Sequence, residues 1–160
     1  MKYSKLLVCG IVWVALLYGS PIAVKAQLSE LDKEVVEAIQ KSDVSALSIW
    51  IAKGGDINLP TKSQNTLLML AAKIGDRPIV EYLLSELPDP DVQNKAGATA
   101  LMIASKYGHA HVVDMLLEAG ADPTLSNNNG HVASTFALAY KHYEIYEKLK
   151  KAEAEFERQS

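Results

Sequence analysis

The chain has 160 residues, 49% of them hydrophobic and 22% charged, with a net charge of −3. That length suits one compact domain, and the composition is that of a soluble globular protein rather than a disordered one. The acidic balance argues against non-specific binding to nucleic acid or to an anionic membrane.

The first 26 residues stand apart. Lys2 and Lys5 precede an almost wholly apolar run, Leu6–Leu17. Gly19-Ser20-Pro21 then breaks any helix, and Val24-Lys25-Ala26 places small residues before Gln27. This three-part layout predicts a secretory signal, residues 1–26, cleaved after Ala26 and directing the chain to the periplasm. The apolar run is well short of the roughly 20 residues that a spanning helix needs, so no membrane insertion is expected after cleavage. Cys9 lies inside the apolar run, too early for a lipoprotein signal, and it is the only cysteine. Cleavage would remove Lys2, Lys5 and Lys25 and no acid, leaving a net charge of −6. The mature chain, residues 27–160, would contain no disulfide although it enters a space that permits them. Its stability must come from packing.

An internal repeat dominates the remainder. Residues 66–84 read TLLMLAAKIGDRPIVEYLL, and residues 99–117, one interval of 33 later, read TALMIASKYGHAHVVDMLL. Nine of these nineteen positions are identical. A fixed period of this size marks a stack of supersecondary units that bury their apolar faces against one another. Extending the register both ways, through Gly54-Gly55-Asp56, Leu87-Pro88-Asp89 and Gly120-Ala121-Asp122, divides the chain into units 27–60, 61–93, 94–126 and 127–160.

Each unit reads as helix, tight turn, helix, loop. In the first, Val35, Val36, Ala38, Ile39, Leu47, Trp50 and Ile51 take the core positions, while Glu30, Asp32, Lys33, Glu34 and Glu37 give a solvated leading helix. In the third, Thr99 is placed to cap the first helix with its hydroxyl. Leu101, Ile103 and Ala104 are its expected inward residues. Gly108 supplies a left-handed turn, and Val112, Val113, Leu116 and Leu117 recur at helical spacing on the second helix. Asn94-Lys95-Ala96-Gly97 and Asn127-Asn128-Asn129-Gly130 read as projecting turns. In the fourth unit Val132 stands where the capping threonine belongs. The segment Tyr143–Gln159 is heavily charged, with Glu144/Lys148 and Glu147/Lys151 at ion-pair spacing on a helix.

The third unit, Gly97-Ala98-Thr99-Ala100-Leu101-Met102 through Gly120-Ala121-Asp122-Pro123, resembles the ankyrin repeat, whose pattern runs roughly G-x-T-P-L-H-x-A-A-x-x-G-H-x-x-I-V-x-x-L-L-x-x-G-A-D. The second unit follows it with Gln64 at the expected glycine and Leu87-Pro88 in place of Gly-Ala. The resemblance implies an all-α ankyrin-repeat solenoid of about four helix–turn–helix units with capping end repeats. Met69 and Met102 replace the histidine that ties adjacent turns together in that family, which implies looser turns here.

Nothing in the pattern supports catalysis. Ser48, Ser105 and Ser134 lack a G-x-S-x-G setting, no H-E-x-x-H or phosphate loop occurs, and Glu153 and Glu155 sit in a solvated helix rather than a desolvated cleft. The four histidines, His109, His111, His131 and His142, raise a haem or metal carrier using Tyr107 as the alternative. Residues i and i+2 of a helix point apart, so His109 and His111 would not share a ligand site if both were helical. The expectation is no enzyme activity, no cofactor and no metal.

The resemblance carries binding to the projecting turns and the exposed side of the first helices. Position by position, these are Lys62, Ser63, Asn65, Lys73 and Ile74 in the second unit; Lys95, Ala96, Ala98, Lys106 and Tyr107 in the third; and Asn128, Asn129, His131 and Tyr140 in the fourth. The face carries lysines and no acid on a chain that is acidic overall. Ile74, Tyr107 and Tyr140 form one equivalent row, and tyrosine is a frequent interface anchor. The expected function is that of an exported, monomeric, non-catalytic module engaging one protein partner, which would offer an acidic patch to this face or a basic one to the acidic cap helices and outer face. The partner is either a toxic effector enzyme that it neutralises as an immunity or inhibitor protein, or an extracytoplasmic enzyme that it serves as an accessory factor.

Overall fold

The computed structural model describes residues 33–159 apart from 59–63 and 87. The signal segment, its cleavage point, Glu30, Asp32, Lys62, Ser63 and Leu87 lie outside the described residues. Among those described, all regular structure is helical: eight helices in four pairs, with no strand. The chain forms two compact units, one ending at Asp56 and the other running from Ile57.

The first unit holds one pair, α1 (33–40) and α2 (Val44–Ala52). The turn between them passes through Ser42 at φ 57°. Asp43 caps α2, its Oδ1 accepting from the Ala46 N–H at 2.9 Å. Val35, Ala38, Ile39 and Leu47 are buried. Val36, Trp50 and Ile51, expected in the core, are only half-buried. Trp50 instead lies flat against the backbone of Gly55, where a Cβ would stand 2.3 Å from its ring.

The second unit holds three pairs: α3 (Leu67–Ile74) with α4 (Arg77–Ser85), α5 (Ala100–Tyr107) with α6 (Ala110–Glu118), and α7 (Ala133–Ala139) with α8 (Tyr143–Gln159). The first helices form one layer, α3 against α5 and α5 against α7. The second helices form another, α4 against α6 and α6 against α8. Sequence explains the helix starts. Thr66 and Thr99 are extended, and their hydroxyls accept from the N–H groups of Met69 (3.2 Å) and Met102 (3.3 Å). Asp76 does the same for α4, accepting from Ile79 at 2.9 Å, with Pro78 in the first turn where its missing N–H is harmless. Val132 offers no side-chain bond to α7.

The core lies between the layers. Leu67, Met69, Ile79, Leu83, Leu101, Met102, Leu116 and Leu149 are among its fully buried side chains, each stabilising the fold by about 1.5–3 kcal/mol on burial. Ala71, Ala72 and Ala104 are also fully buried, so small residues let α3 and α5 approach their neighbours. Ile103, expected to point inward, is half-buried.

The ends of α3 and α5 show why the repeat keeps glycine there. Gly75 and Gly108 have φ 77° and 79°, and each closes its helix by donating its N–H to Ala71 and Ala104 carbonyls. Space is as restrictive as conformation. A Cβ on Gly75 would stand 2.3 Å from the His109 ring, and one on Gly108 would stand 2.5 Å from His142. One period later Lys141 keeps a positive φ of 63° with a full side chain. Gln64, at the position of an expected glycine, likewise holds φ 63°.

The turns are not loose. Asn94 Oδ1 accepts from the N–H groups of Ala96 (2.9 Å) and Ala98 (3.0 Å), and its amide donates to Asn65 Oδ1 at 2.8 Å. Gln93 Nε2 donates to the carbonyls of Gly97 and Ser126 at 2.7 and 2.9 Å. Asn128 donates from its backbone to Ala96 O and from its side chain to Lys95 O. This amide ladder ties successive turns together in place of the histidine that Met69 and Met102 replace, and it corrects the expectation of looser turns.

The last helix runs for 17 residues where α6 has nine. Its buried stripe is Ile145, Leu149 and Glu153, spaced by four. The expected pairs Glu144/Lys148 and Glu147/Lys151 are not the ones formed. Lys148 reaches back to Asp114 of α6 at 2.6 Å, Lys150 takes Glu153 at 2.6 Å, and Lys151 lies 3.9 Å from Glu155. Lys148 spends its charge across the packed layer because Asp114 lies one repeat earlier on the neighbouring helix, an option that spacing along a single helix does not reveal.

Candidate binding face

The C-terminal ends of α3, α5 and α7 present Lys73 and Ile74, Lys106 and Tyr107, and Tyr140. Ile74, Tyr107 and Tyr140 are 41%, 45% and 50% exposed, large values for side chains of this kind. The two lysines share one ring: Lys73 Nζ and Lys106 Nζ each lie 5.8 Å from the centre of Tyr107. Lys106 Nζ also lies 5.3 Å from the centre of Tyr140. The result is a row of alternating cations and rings across three helices, within the range at which a ring quadrupole attracts an ammonium.

The backbone beneath is held by the histidines that immediately precede the second helices. His109 Nε2 contacts the Lys73 carbonyl at 3.1 Å, and His142 Nε2 contacts that of Lys106 at 3.2 Å. A carbonyl only accepts, so each ring donates from Nε2. The His109 ring also lies parallel to Tyr107 at 6.5 Å. His109 is the N-cap residue of α6, not a helical one, so it and His111 do not point apart: their rings stand edge to face at 6.2 Å. His111 Nε2 is nonetheless engaged by another acceptor, the Gly75 carbonyl at 2.9 Å. Among the described residues no three His, Cys, Asp or Glu side chains converge as a metal site would require.

The remaining face positions divide by what they bind. Asn65, Ala98 and Asn128 are committed to the amide ladder. His131 takes Asn127 Oδ1 on its backbone N–H, and its ring meets the Phe136 ring edge-on at 6.0 Å. Lys95, Ala96 and Asn129 are exposed on the turns. Lys73, Ile74, Lys106, Tyr107 and Tyr140 thus form one surface, whereas Asn65 and Asn128 mainly hold the turns in register.

Three residues of this surface escaped the sequence reading. Leu70, Ile103 and Phe136 are equivalent positions, all half-buried. They lie three and four residues before the 73/74, 106/107 and 139/140 positions, on the same side of each helix. The 33-residue period together with that spacing was the available signal; hydrophobicity alone assigned Ile103 to the core.

A family model described as ankyrin repeats in three copies matches residues 35–127 and again 68–160. No curated protein matches the chain. None of the described helices is long and apolar enough to cross a membrane.

Proposed function

The chain belongs to the ankyrin-repeat family, whose repeats mark a protein-binding module, and from that premise we propose that it is an exported, non-catalytic binder of one protein partner. The leader layout supports a periplasmic site of action. Within that compartment the reading we favour is an immunity or inhibitor protein that occludes a toxic effector enzyme, ahead of an accessory role to an extracytoplasmic enzyme. A short stack with a single exposed anchor row suits one tight contact.

The observation that carries the reading is the Lys73–Tyr107–Lys106–Tyr140 row. Tyrosine is a frequent interface anchor that is desolvated on binding, and here two exposed tyrosines and two lysines gather on one side of an acidic protein. Neither His109 nor His142 is needed for a ligand, because each is engaged in holding the helix ends beneath that row.

The test is capture from a periplasmic extract by the mature chain, compared with a Lys106→Glu/Tyr107→Ala variant of unchanged thermal stability. The captured protein should be lost or retained only weakly by the variant. Equal capture by both proteins would sink the assignment of this face. N-terminal sequencing of the exported protein should begin at Gln27.

A further inference from the structure

Six of the described lysines contrast in their partners. Lys41, Lys148, Lys150 and Lys151 each have a carboxylate partner. Lys73 and Lys106 have tyrosine rings instead, and among the described residues no carboxylate lies within salt-bridge distance of either. The distinction matters physically. A carboxylate neutralises an ammonium, whereas a ring face orients it and leaves its charge available. Two cations held in place but not neutralised reduce the ordering cost of binding an anion.

Their spacing limits what that anion can be. Lys73 and Lys106 are equivalent residues on α3 and α5, which pack directly. Packed helices stand about 8–10 Å apart, and a polyproline II segment advances about 3.1 Å per residue with about three residues per turn. One repeat step therefore spans roughly three residues of a peptide extended in this way, and side chains three apart share one face. Beside the cations runs the half-buried strip Leu70, Ile103 and Phe136, able to receive apolar side chains.

Resting on the binding reading above, we propose that the partner is engaged through an extended acidic segment. It carries two carboxylates three positions apart, one over Lys73 and one over Lys106, with apolar residues between them seated on Leu70 and Ile103. Nucleic acid and anionic membrane are disfavoured as occupants: two cations neutralise too few phosphates for stable binding on a chain of net charge −3.

The probe is a fluorescein-labelled peptide with two glutamates three positions apart flanking two leucines, titrated into the full mature chain by anisotropy at low and moderate salt. It should bind roughly tenfold or more tightly than a peptide of the same composition with adjacent glutamates, and its affinity should fall with salt. A Lys73→Glu/Lys106→Glu variant should lose this peptide and prefer the version in which lysines replace the glutamates. Equal binding of both spacings overturns the proposal, as does equal or tighter binding of a duplex DNA or of phosphatidylglycerol vesicles. Failure of the peptide alongside loss of partner capture by the Lys106→Glu/Tyr107→Ala variant overturns the extended segment alone, leaving a folded partner surface on the same face. Unchanged capture overturns the face itself.

Discussion

Replacing Gly108 by alanine tests whether the next repeat, rather than backbone conformation alone, reserves this position. At φ 79° an L-residue pays roughly 1–2 kcal/mol for the left-handed conformation. The new Cβ would also stand 2.5 Å from the His142 ring, too close for any real contact. Displacing that ring breaks its bond to the Lys106 carbonyl, a further loss of about 1 kcal/mol. Gly108→Ala should therefore destabilise the protein by about 2–3 kcal/mol in urea unfolding followed by far-ultraviolet circular dichroism. Lys141 is the internal control. It already has a Cβ at φ 63°, so Lys141→Ala should change little. In Lys141→Gly the relief of strain is offset by the freer unfolded chain, about 0.4–1 kcal/mol. Removing the obstructing ring in Gly108→Ala/His142→Ala should cost about 1 kcal/mol less than the two single changes together, because the same hydrogen bond cannot be lost twice. Equal destabilisation by Gly108→Ala and Lys141→Ala, or strict additivity in the double variant, would refute the steric reasoning.

Two further predictions concern other levels of the fold. Thr99→Ala removes a buried cap and should lower stability by about 1 kcal/mol, whereas Val132→Thr restores the cap that α7 lacks and should raise it by up to a similar amount; thermal melts of the two variants should move in opposite directions. Asp91 is held above the ordinary aspartate range first by burial, then by the charges of Asp122 and Asp89, against the opposing bond from the Asp122 N–H. The folded state therefore holds the Asp91 proton more tightly than the unfolded chain does, and stability from this group is lost as pH rises. Asp91→Asn keeps an oxygen for the Asp122 N–H, now 2.9 Å from Asp91 Oδ1, and should be more stable than the parent at neutral pH. That advantage should shrink as pH falls through the carboxylate range, and a gap that widened on acidification would contradict the assignment.

Much was legible before any coordinates because the repeat states its own requirements. The helix starts at Thr66 and Thr99, the left-handed ends at Gly75 and Gly108, the small buried Ala71 and Ala104, and the lack of a cap at Val132 are local decisions. Hydroxyl chemistry, φ and side-chain volume act within a turn of the residue concerned, so the one-dimensional pattern suffices. Gln64 is instructive: the period marks a position that requires positive φ, and the chain adopts it there without glycine.

What tertiary structure alone decided lies between repeats. Lys148 chose Asp114 over its own-helix neighbour, and Gln93, Asn94 and Asn128 became the ladder that binds one turn to the next. Ile103 left the core for the exposed face, and Lys73 and Lys106 met on a single tyrosine ring. Each outcome depends on which of two competing partners is nearer in space, and helix packing sets that distance. The sequence by itself determined the repeat, its caps and the row of variable positions. Only the stacking of α3, α5 and α7 turned that row into two oriented, uncompensated charges beside an apolar strip, because residues 33 apart in the chain become neighbours only when their helices pack.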